Sequence, residues 1–291
     1  MKIFFFTLFL LGCSSERISK EGIPISYDYN DDEIELEYLR HEEQVSSRDF
    51  LPVPKKERVY CMAGRSIACL KAGIHLKKQE QFSKGFEYFE MACNLKNAIG
   101  CFESSIYSYQ IQKTKLAHYF MERSCKYKNG KACYEIYLKK QESHAELTEN
   151  MSAFSYLKLS CRFLYGQGCQ DLGAFHYKKE RKSRARSYFK QACNLKRYGA
   201  CYNLGLLYHR SQEVKLAKKY YLISCSKKIS SSCYNLAIFY TREGKKEKAL
   251  SYLEKTVQIE EKKKKEIQFD PDFDSLRSSH RYRRLLAEKK K

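Results

Sequence analysis

The chain has 291 residues, of which 43% are hydrophobic and 14% are aromatic. This composition is sufficient to bury a substantial core and excludes a chain that is too polar to fold. Only 4 prolines and 13 glycines interrupt it, a balance that favours long helices over many short strands joined by tight turns. The net charge of +21 makes nucleic acid, anionic lipid headgroups, cell-wall polymers and acidic proteins the partner classes to weigh.

Residues 1–13 have the pattern of an export signal. Lys2 is followed by an apolar run from Ile3 to Leu11, which is shorter than the roughly 20 residues needed to span a bilayer. The run ends in Leu-Leu-Gly-Cys and resembles a bacterial lipoprotein signal, in which the cysteine, here Cys13, becomes the lipidated first residue of the mature chain. The alternative is an ordinary secretory signal, and both interpretations predict an exported protein.

Residues 14–54 differ in composition from the rest of the chain. They hold eleven acidic and four basic residues, and Pro52 and Pro54 close the segment. We predict that this segment is an acidic tether between the lipid anchor and the domain that follows.

The other twelve cysteines carry the strongest pattern in the sequence. They form pairs of identical spacing, C-x7-C, and the first members recur at steps of 32, 32, 36, 32 and 32 residues. A period in this range is typical of arrays of paired helices, and thirteen cysteines suit an exported protein better than a cytosolic one. The six pairs are Cys61 with Cys69, Cys93 with Cys101, Cys125 with Cys133, Cys161 with Cys169, Cys193 with Cys201, and Cys225 with Cys233.

Neighbouring columns keep the register of the cysteines. A small residue lies eight positions before the first cysteine of most pairs, such as Ala185, and an aromatic residue lies five before it, such as Tyr188, which predicts close helix packing. One helix is predicted from Arg184 to Cys193 and the next from Cys201 to His209. A disulfide between these cysteines would join the two helices, since eight residues along one continuous helix are too far apart for direct bridging.

Zinc binding is the competing interpretation of paired cysteines, but zinc sites favour C-x2-4-C spacing, so we predict no metal and no cofactor. Ser155 and Ser224 each begin an S-x-x-K motif, although the K-T-G and S-D-N motifs of β-lactam enzymes are absent from the sequence. We therefore predict no catalytic residue, and an enzyme is the less favoured class.

The repeats resemble the Sel-one-like repeat (SLR), a relative of the tetratricopeptide repeat (TPR), and more closely the Helicobacter cysteine-rich protein family. The stretch ACNLKRYGACYNLG, residues 192–205, matches the junction motif of that family. The resemblance covers about residues 58–258 and implies an all-α, α/α-solenoid of about six helix pairs stapled by disulfides. Only the Cys125-to-Cys161 interval has the usual 36-residue length of the family.

The predicted repeat solenoid covers residues 55–258, and residues 259–291 are predicted to form a basic C-terminal cap. Two residues after each second cysteine comes a polar column, which we predict to face a groove and contact an extended peptide. Simple exposure to solvent is the equally open alternative. The column consists of Lys71, Glu103, Glu135, Asp171, Asn203 and Asn235.

The predicted function is an exported, lipid-anchored repeat scaffold for protein–protein interactions in the bacterial cell envelope, either periplasmic or at the outer membrane or cell surface. Its partners would be an envelope or host protein or an extended peptide, with membrane attachment through the lipid. Nucleic acid is disfavoured because an exported protein meets little of it, and a monomer is expected. Some members of the resembling family bind or slowly hydrolyse β-lactams, which implies a β-lactam or peptidoglycan-fragment binding protein with weak β-lactamase activity as the alternative.

Overall fold

The computed structural model describes residues 52–142 and 152–287, so Cys13 and most of the predicted acidic tether lie outside the described residues. The described residues form α-helices joined by short turns, with no strand among them. The helices are α1 (Lys55–Met62), α2 (Ser66–Lys78), α3 (Phe82–Asn94), α4 (Ala98–Gln110), α5 (Thr114–Lys126), α6 (Gly130–Glu142), α7 (Ala153–Arg162), α8 (Gly166–Lys178), α9 (Lys182–Asn194), α10 (Tyr198–Arg210), α11 (Val214–Ser226), α12 (Ser230–Arg242), α13 (Lys246–Ile259), α14 (Lys263–Phe269), the 3-10 helix Pro271–Leu276 and α15 (His280–Leu286).

Consecutive helices from α2 to α13 pack as helix hairpins, α2 on α3, α4 on α5 and so on, and each hairpin packs on the next. We call the even-numbered helices α2 to α12 the first helices of the repeats and the odd-numbered helices α3 to α13 the second helices. Neighbour-to-neighbour packing of this kind is the architecture of a solenoid. The prediction of an all-α solenoid of about six helix pairs is therefore confirmed.

Disulfides join all six predicted cysteine pairs, with Cα–Cα distances between 4.5 and 4.9 Å. Each bond links the end of one helix to the first turn of the following first helix. The bonded pairs, in chain order, are Cys61 with Cys69, Cys93 with Cys101, Cys125 with Cys133, Cys161 with Cys169, Cys193 with Cys201, and Cys225 with Cys233. With these cysteines in disulfides, the competing zinc interpretation is excluded for them.

The second cysteine of a pair lies inside a helix and not at its beginning. The predicted boundary at Cys201 was wrong by three residues, because α10 begins at Tyr198. The same displacement recurs along the array: Cys101 lies in the first turn of α4, which begins at Ala98, and Cys233 lies in the first turn of α12, which begins at Ser230. The turn after the helix that carries the first cysteine is only three residues long, as between Asn194 and Tyr198. The next helix therefore begins three residues before the second cysteine.

Glycines on the first helices allow close packing within a hairpin. A Cβ atom at Gly205 would lie 2.7 Å from the ring of Tyr221, and Gly73 and Gly173 meet the rings of Phe89 and Phe189 in the same way. These rings lie four residues before a first cysteine, one position later than the predicted aromatic column. The side chains of that predicted column stack elsewhere: the Tyr220 ring lies parallel to the Tyr208 ring, at 5.6 Å between centroids.

The turns between the helices of the repeats share one backbone conformation. After α9, the amide of Arg197 donates to the carbonyl of Ala192 at 3.0 Å, while Lys196 between them has a φ of 62°. This left-handed residue with its backward hydrogen bonds is the Schellman form of a helix end. It reverses the chain in three or four residues, which sets the short turns of the solenoid.

The C-terminal elements close the last hairpin. Phe273 and Leu276 of the 3-10 helix and Ile267 of α14 are fully buried against α12 and α13. Arg281 of α15 forms ion pairs with Glu247 and Glu254 of α13. Among the residues that the structure describes, no helix combines the length and the apolar character needed to cross a bilayer.

Candidate binding surface

The first helices lie side by side in chain order and make one continuous surface. Lys77 of α2 forms an ion pair with Glu103 of α4 at 2.8 Å, and the ammonium of Lys139 of α6 lies 3.3 Å from the centre of the Tyr109 ring of α4. We call the surface built around the polar column of α2, α4, α6, α8, α10 and α12 the first-helix face. Stacked repeats commonly use such a surface to bind partners.

Asp171 of α8 is held by neutral donors. The hydroxyl of Tyr134 of α6 donates to its carboxylate at 2.6 Å, and the side-chain amide of Gln167, one turn earlier on α8, donates at 2.9 Å. Burial, reinforced by this bond to the carboxylate, raises the pKa of Tyr134 well above its usual range. Tyr134 therefore stays a neutral hydrogen-bond donor to Asp171, and no ion pair of Asp171 occurs within the described ranges.

The charge of Glu135 of α6 acts on two other tyrosines. Burial raises the pKa of Tyr109 to about 12, and the negative charge of Glu135 adds to that rise. Burial also raises the pKa of Tyr165, with Glu135 as the next cause and Arg197 opposing it. Since Tyr109 belongs to α4 and Tyr165 directly precedes α8, the charge of Glu135 acts on residues next to both neighbouring first helices.

The remaining column residues have different surroundings. Glu103 accepts the ion pair from Lys77, Asn235 donates to the carbonyl of Ser231 of its own helix at 2.9 Å, and Asn203 is partly buried. Lys71 is exposed and lines a depression of about 470 Å³ with Tyr60 and other residues of α1 and α2. Every column residue except Lys71 is partly buried within the chain itself. Contact with a peptide stays a prediction.

The sequence did not identify the tyrosines of this face as site residues. Tyr134 lies 5.2 Å from Tyr165 and 5.6 Å from Tyr137 between ring centroids, so three rings cluster beside Asp171, which accepts the hydrogen bond of Tyr134. Tyr134 directly follows Cys133, so the cysteine register could have placed it beside the polar column. Its partner Asp171, 37 residues along the chain, becomes a neighbour only through the stacking of consecutive repeats.

The S-x-x-K serines have structural roles. Ser224 is buried, and its hydroxyl oxygen lies 2.5 Å from that of Ser232 and 3.0 Å from the carbonyl of Tyr220. Ser155 lies 3.1 Å from Ser152, the cap of α7. Neither arrangement presents an activated nucleophile. Across residues 52–142 and 152–287, no group of three or more His, Cys, Asp or Glu side chains is placed to hold a metal ion.

Two stretches of the chain match family models of the tetratricopeptide repeat, residues 198–222 and 232–266. They cover α10 with part of α11, and α12 through α13 into α14. The matches agree with the repeat period read from the cysteines. No curated protein sequence matches the chain.

Solved structures of two other proteins share this fold. A protective antigen present in uropathogenic Escherichia coli strains, which displays an SLR fold, superposes with a TM-score of 0.53 at 15% identity over 69% of this chain and 47% of that one. A Sel1 repeat protein from Oxalobacter formigenes gives a TM-score of 0.51 at 12% identity over 68% of this chain and 89% of that one. The chain thus spans about half the length of the first relative. These likenesses show an SLR, TPR-like fold, which is typical of protein–protein interaction scaffolds.

Proposed function

We propose that this SLR-type solenoid is an exported, lipid-anchored scaffold of the bacterial cell envelope that binds an extended segment of a partner protein along its first-helix face. The observation that carries the proposal is the continuity of that face. Lys77 and Glu103, Lys139 and Tyr109, and then Tyr134 and Asp171 join successive first helices, so polar and aromatic groups repeat along one surface.

The disulfides support a binding role through rigidity. Each one fixes the end of one helix against the start of the next, so the first-helix face is ordered before a partner arrives. A surface that is already ordered loses less conformational entropy on binding, and more of the contact energy then contributes to affinity.

Export and anchoring rest on the first thirteen residues and on the cysteines. Disulfides form and persist in oxidising compartments such as the bacterial periplasm and the cell surface. A single acyl chain gives only weak membrane binding, so a stable anchor needs the additional chains that a lipidated N-terminal cysteine carries or a further basic contact with anionic lipid.

The binding proposal is tested by crosslinked recovery of partners from cell envelopes with the oxidised protein, followed by hydrogen exchange of the purified complex. We expect one discrete protein in stoichiometric amount and slowed exchange in α4, α6 and α8. A Glu135→Arg variant should lose the partner, whereas Glu87→Arg, the same change on an exposed residue of second helix α3, should keep it. Slowed exchange confined to the second helices would contradict the proposal.

The anchoring proposal is tested separately in a bacterial expression host. Labelled palmitate should enter the wild-type protein and place it in the membrane fraction, and Cys13→Ser should abolish both. Labelling that survives in the Cys13→Ser variant would refute lipidation at this residue. A soluble, oxidised wild-type protein without label would instead support the ordinary secretory signal.

A chromogenic β-lactam distinguishes the alternative class of function. Turnover by the oxidised protein, in the absence of any recovered protein partner, would move support to a ligand-binding or hydrolytic protein. The buried hydroxyl of Ser224 gives no reason to expect that turnover.

A further inference from the structure

Glu135 and Asp171, on consecutive first helices, are partly buried carboxylates without a cation partner in the part of the chain that the structure describes. Neither takes part in any ion pair there, whereas Glu103 on the preceding first helix is paired with Lys77. A charge held partly out of water without a counter-ion is unfavourable, and a ligand that supplies the opposite charge removes that cost.

The charge of the whole chain makes this pair exceptional. The sequence contains 55 Lys and Arg residues against 34 Asp and Glu, and eleven of those acidic residues lie in the predicted tether. Acidic side chains of the solenoid are therefore outnumbered by cations, and most of their recorded contacts are ion pairs. Glu135 and Asp171 lie 36 positions apart in the sequence, on consecutive first helices. Two neighbouring cations of the chain, Lys139 and Arg197, contact the Tyr109 ring and the side chain of Gln167, and neither forms an ion pair with these carboxylates.

Aromatic rings complete the surroundings of these carboxylates. Tyr134 contacts the rings of both Tyr137 and Tyr165, and burial keeps the hydroxyl groups of these tyrosines protonated by raising each pKa. The faces of such rings attract ammonium and guanidinium groups. The protein already uses this attraction beside the pair, where the ammonium of Lys139 lies over Tyr109.

From these observations we propose that the first-helix face between α4 and α8 binds an extended polypeptide segment bearing lysine or arginine side chains, with Glu135 and Asp171 as the residues that receive them. The inference rests on the proposed function and names the chemistry of its partner. Two carboxylates on adjacent repeats fit a chain with several cationic side chains better than a single small cation, because each repeat offers its own carboxylate along the face.

The test measures binding of labelled peptides to the purified, oxidised protein by fluorescence anisotropy. Three extended peptides of equal length alternate serine with lysine, with glutamate or with alanine. We expect the lysine peptide to bind most tightly and its affinity to fall as salt is added, because salt screens the attraction between charges. Glu135→Gln and Asp171→Asn together should weaken binding about tenfold, in keeping with the loss of charged hydrogen bonds.

The control is Glu87→Gln, which removes the same charge from an exposed position of α3 and should leave affinity unchanged. Asp171→Asn alters a recorded hydrogen bond with Tyr134, so Glu135→Gln alone, which removes no recorded bond, serves as the variant whose fold is undisturbed. Thermal unfolding of each variant checks this.

Several results would overturn the inference. Equal weakening by Glu87→Gln would indicate attraction to overall charge and not to this face. Tight binding of the glutamate or alanine peptide with slowed exchange in α4, α6 and α8 would refute a basic partner while leaving the scaffold function standing. Binding of none of the peptides, or displacement of the lysine peptide by free polyamine at equal charge concentration, would reject a polypeptide ligand. If no envelope protein is recovered either, the proposed function also fails.

Discussion

At the scale of single residues, the interior of the solenoid contains side chains that are kept neutral by burial. His176 is 5% exposed, its ring stacks on that of Tyr188 at 5.3 Å, and its Nδ1 has no hydrogen-bond partner among the described residues. Burial lowers the pKa of His176 below its usual 6.5, and nearby Arg184 and Arg181 lower it further. Burial also lowers the pKa values of His118 and His209.

These histidines predict a loss of stability in acid. A group whose pKa is lower in the folded state binds its proton more readily when the chain is unfolded, so its contribution is complete above pH 6.5 and is lost as the pH falls below that value. We expect the melting temperature to fall below pH 6.5 and His176→Phe to reduce that fall. His280→Gln, at an exposed position, is the control. An identical pH profile for His176→Phe and the wild type would contradict the prediction.

The hydrogen bond between Tyr134 and Asp171 gives a second prediction at this scale. Tyr134→Phe removes the donor and leaves a partly buried carboxylate with one bond fewer, at a cost of about 1–3 kcal/mol in the free energy of unfolding. Tyr137→Phe, on the same helix, removes a hydroxyl that forms no hydrogen bond within the described ranges. This change should lower the free energy of unfolding only slightly. Urea unfolding of both variants measures the difference, and equal effects would show that the bond contributes nothing.

At the scale of helices, the hairpins depend on positions where a side chain has no room. Gly205 of α10 faces the buried ring of Tyr221, whereas Gly199, also in α10, has only the side chain of Gln170 near the place of a Cβ, at 3.6 Å. Two glycines of one helix therefore serve different purposes: Gly205 permits contact between helices, and Gly199 tolerates a larger residue.

Alanine substitutions separate these purposes. Gly205→Ala should destabilise the protein by about 1–3 kcal/mol, because its Cβ overlaps the Tyr221 ring and forces the hairpin apart. Gly199→Ala should be neutral or stabilising by up to about 1 kcal/mol, since alanine favours a helix over glycine. Thermal or urea unfolding compares the two variants, and destabilisation by both to the same extent would mean that helix position and not ring contact decides the effect.

At the scale of the whole molecule, stability comes from contacts between neighbouring helices and from a disulfide at each repeat junction. Each bridge closes a loop with a sequence separation of 8 residues. The entropy lost by the unfolded chain when such a loop closes corresponds to about 2–3 kcal/mol. Because a solenoid has no single central core, the consequence of losing a bridge depends on where it lies in the array.

Paired Cys→Ala substitutions at the two locations test this dependence. Removing the bond of Cys161 with Cys169, between α7 and α8, should lower the unfolding midpoint of the entire array and broaden its transition, because it weakens contact between the two halves. Removing the bond of Cys61 with Cys69 should chiefly release the short helix α1, leaving the main transition nearly unchanged. Circular dichroism in urea follows both variants, and equal midpoints would indicate that the array unfolds as one unit without regard to position.

The cysteine register by itself determined the fold of this protein, because helix pairing in a repeat array is local in sequence. The identical C-x7-C spacing requires a turn between the two cysteines, and the repeat period near 32 residues allows one hairpin per repeat. The same register predicted the polar column that includes Glu135 and Asp171. Helix beginnings were missed by three residues, as at Tyr198, since no residue in that turn marks the first helical position distinctly.

Only the tertiary structure decided which of these side chains meet. The ring that fills the space beside Gly205 is Tyr221 and not the neighbouring Tyr220, because the rotation of α11 about its axis is set by packing against α10 and not by the sequence period. The contact of Tyr134 with Asp171 depends on the angle at which one repeat stacks on the next. That angle results from side-chain packing along the entire hairpin, so the site took shape only when the helices were assembled.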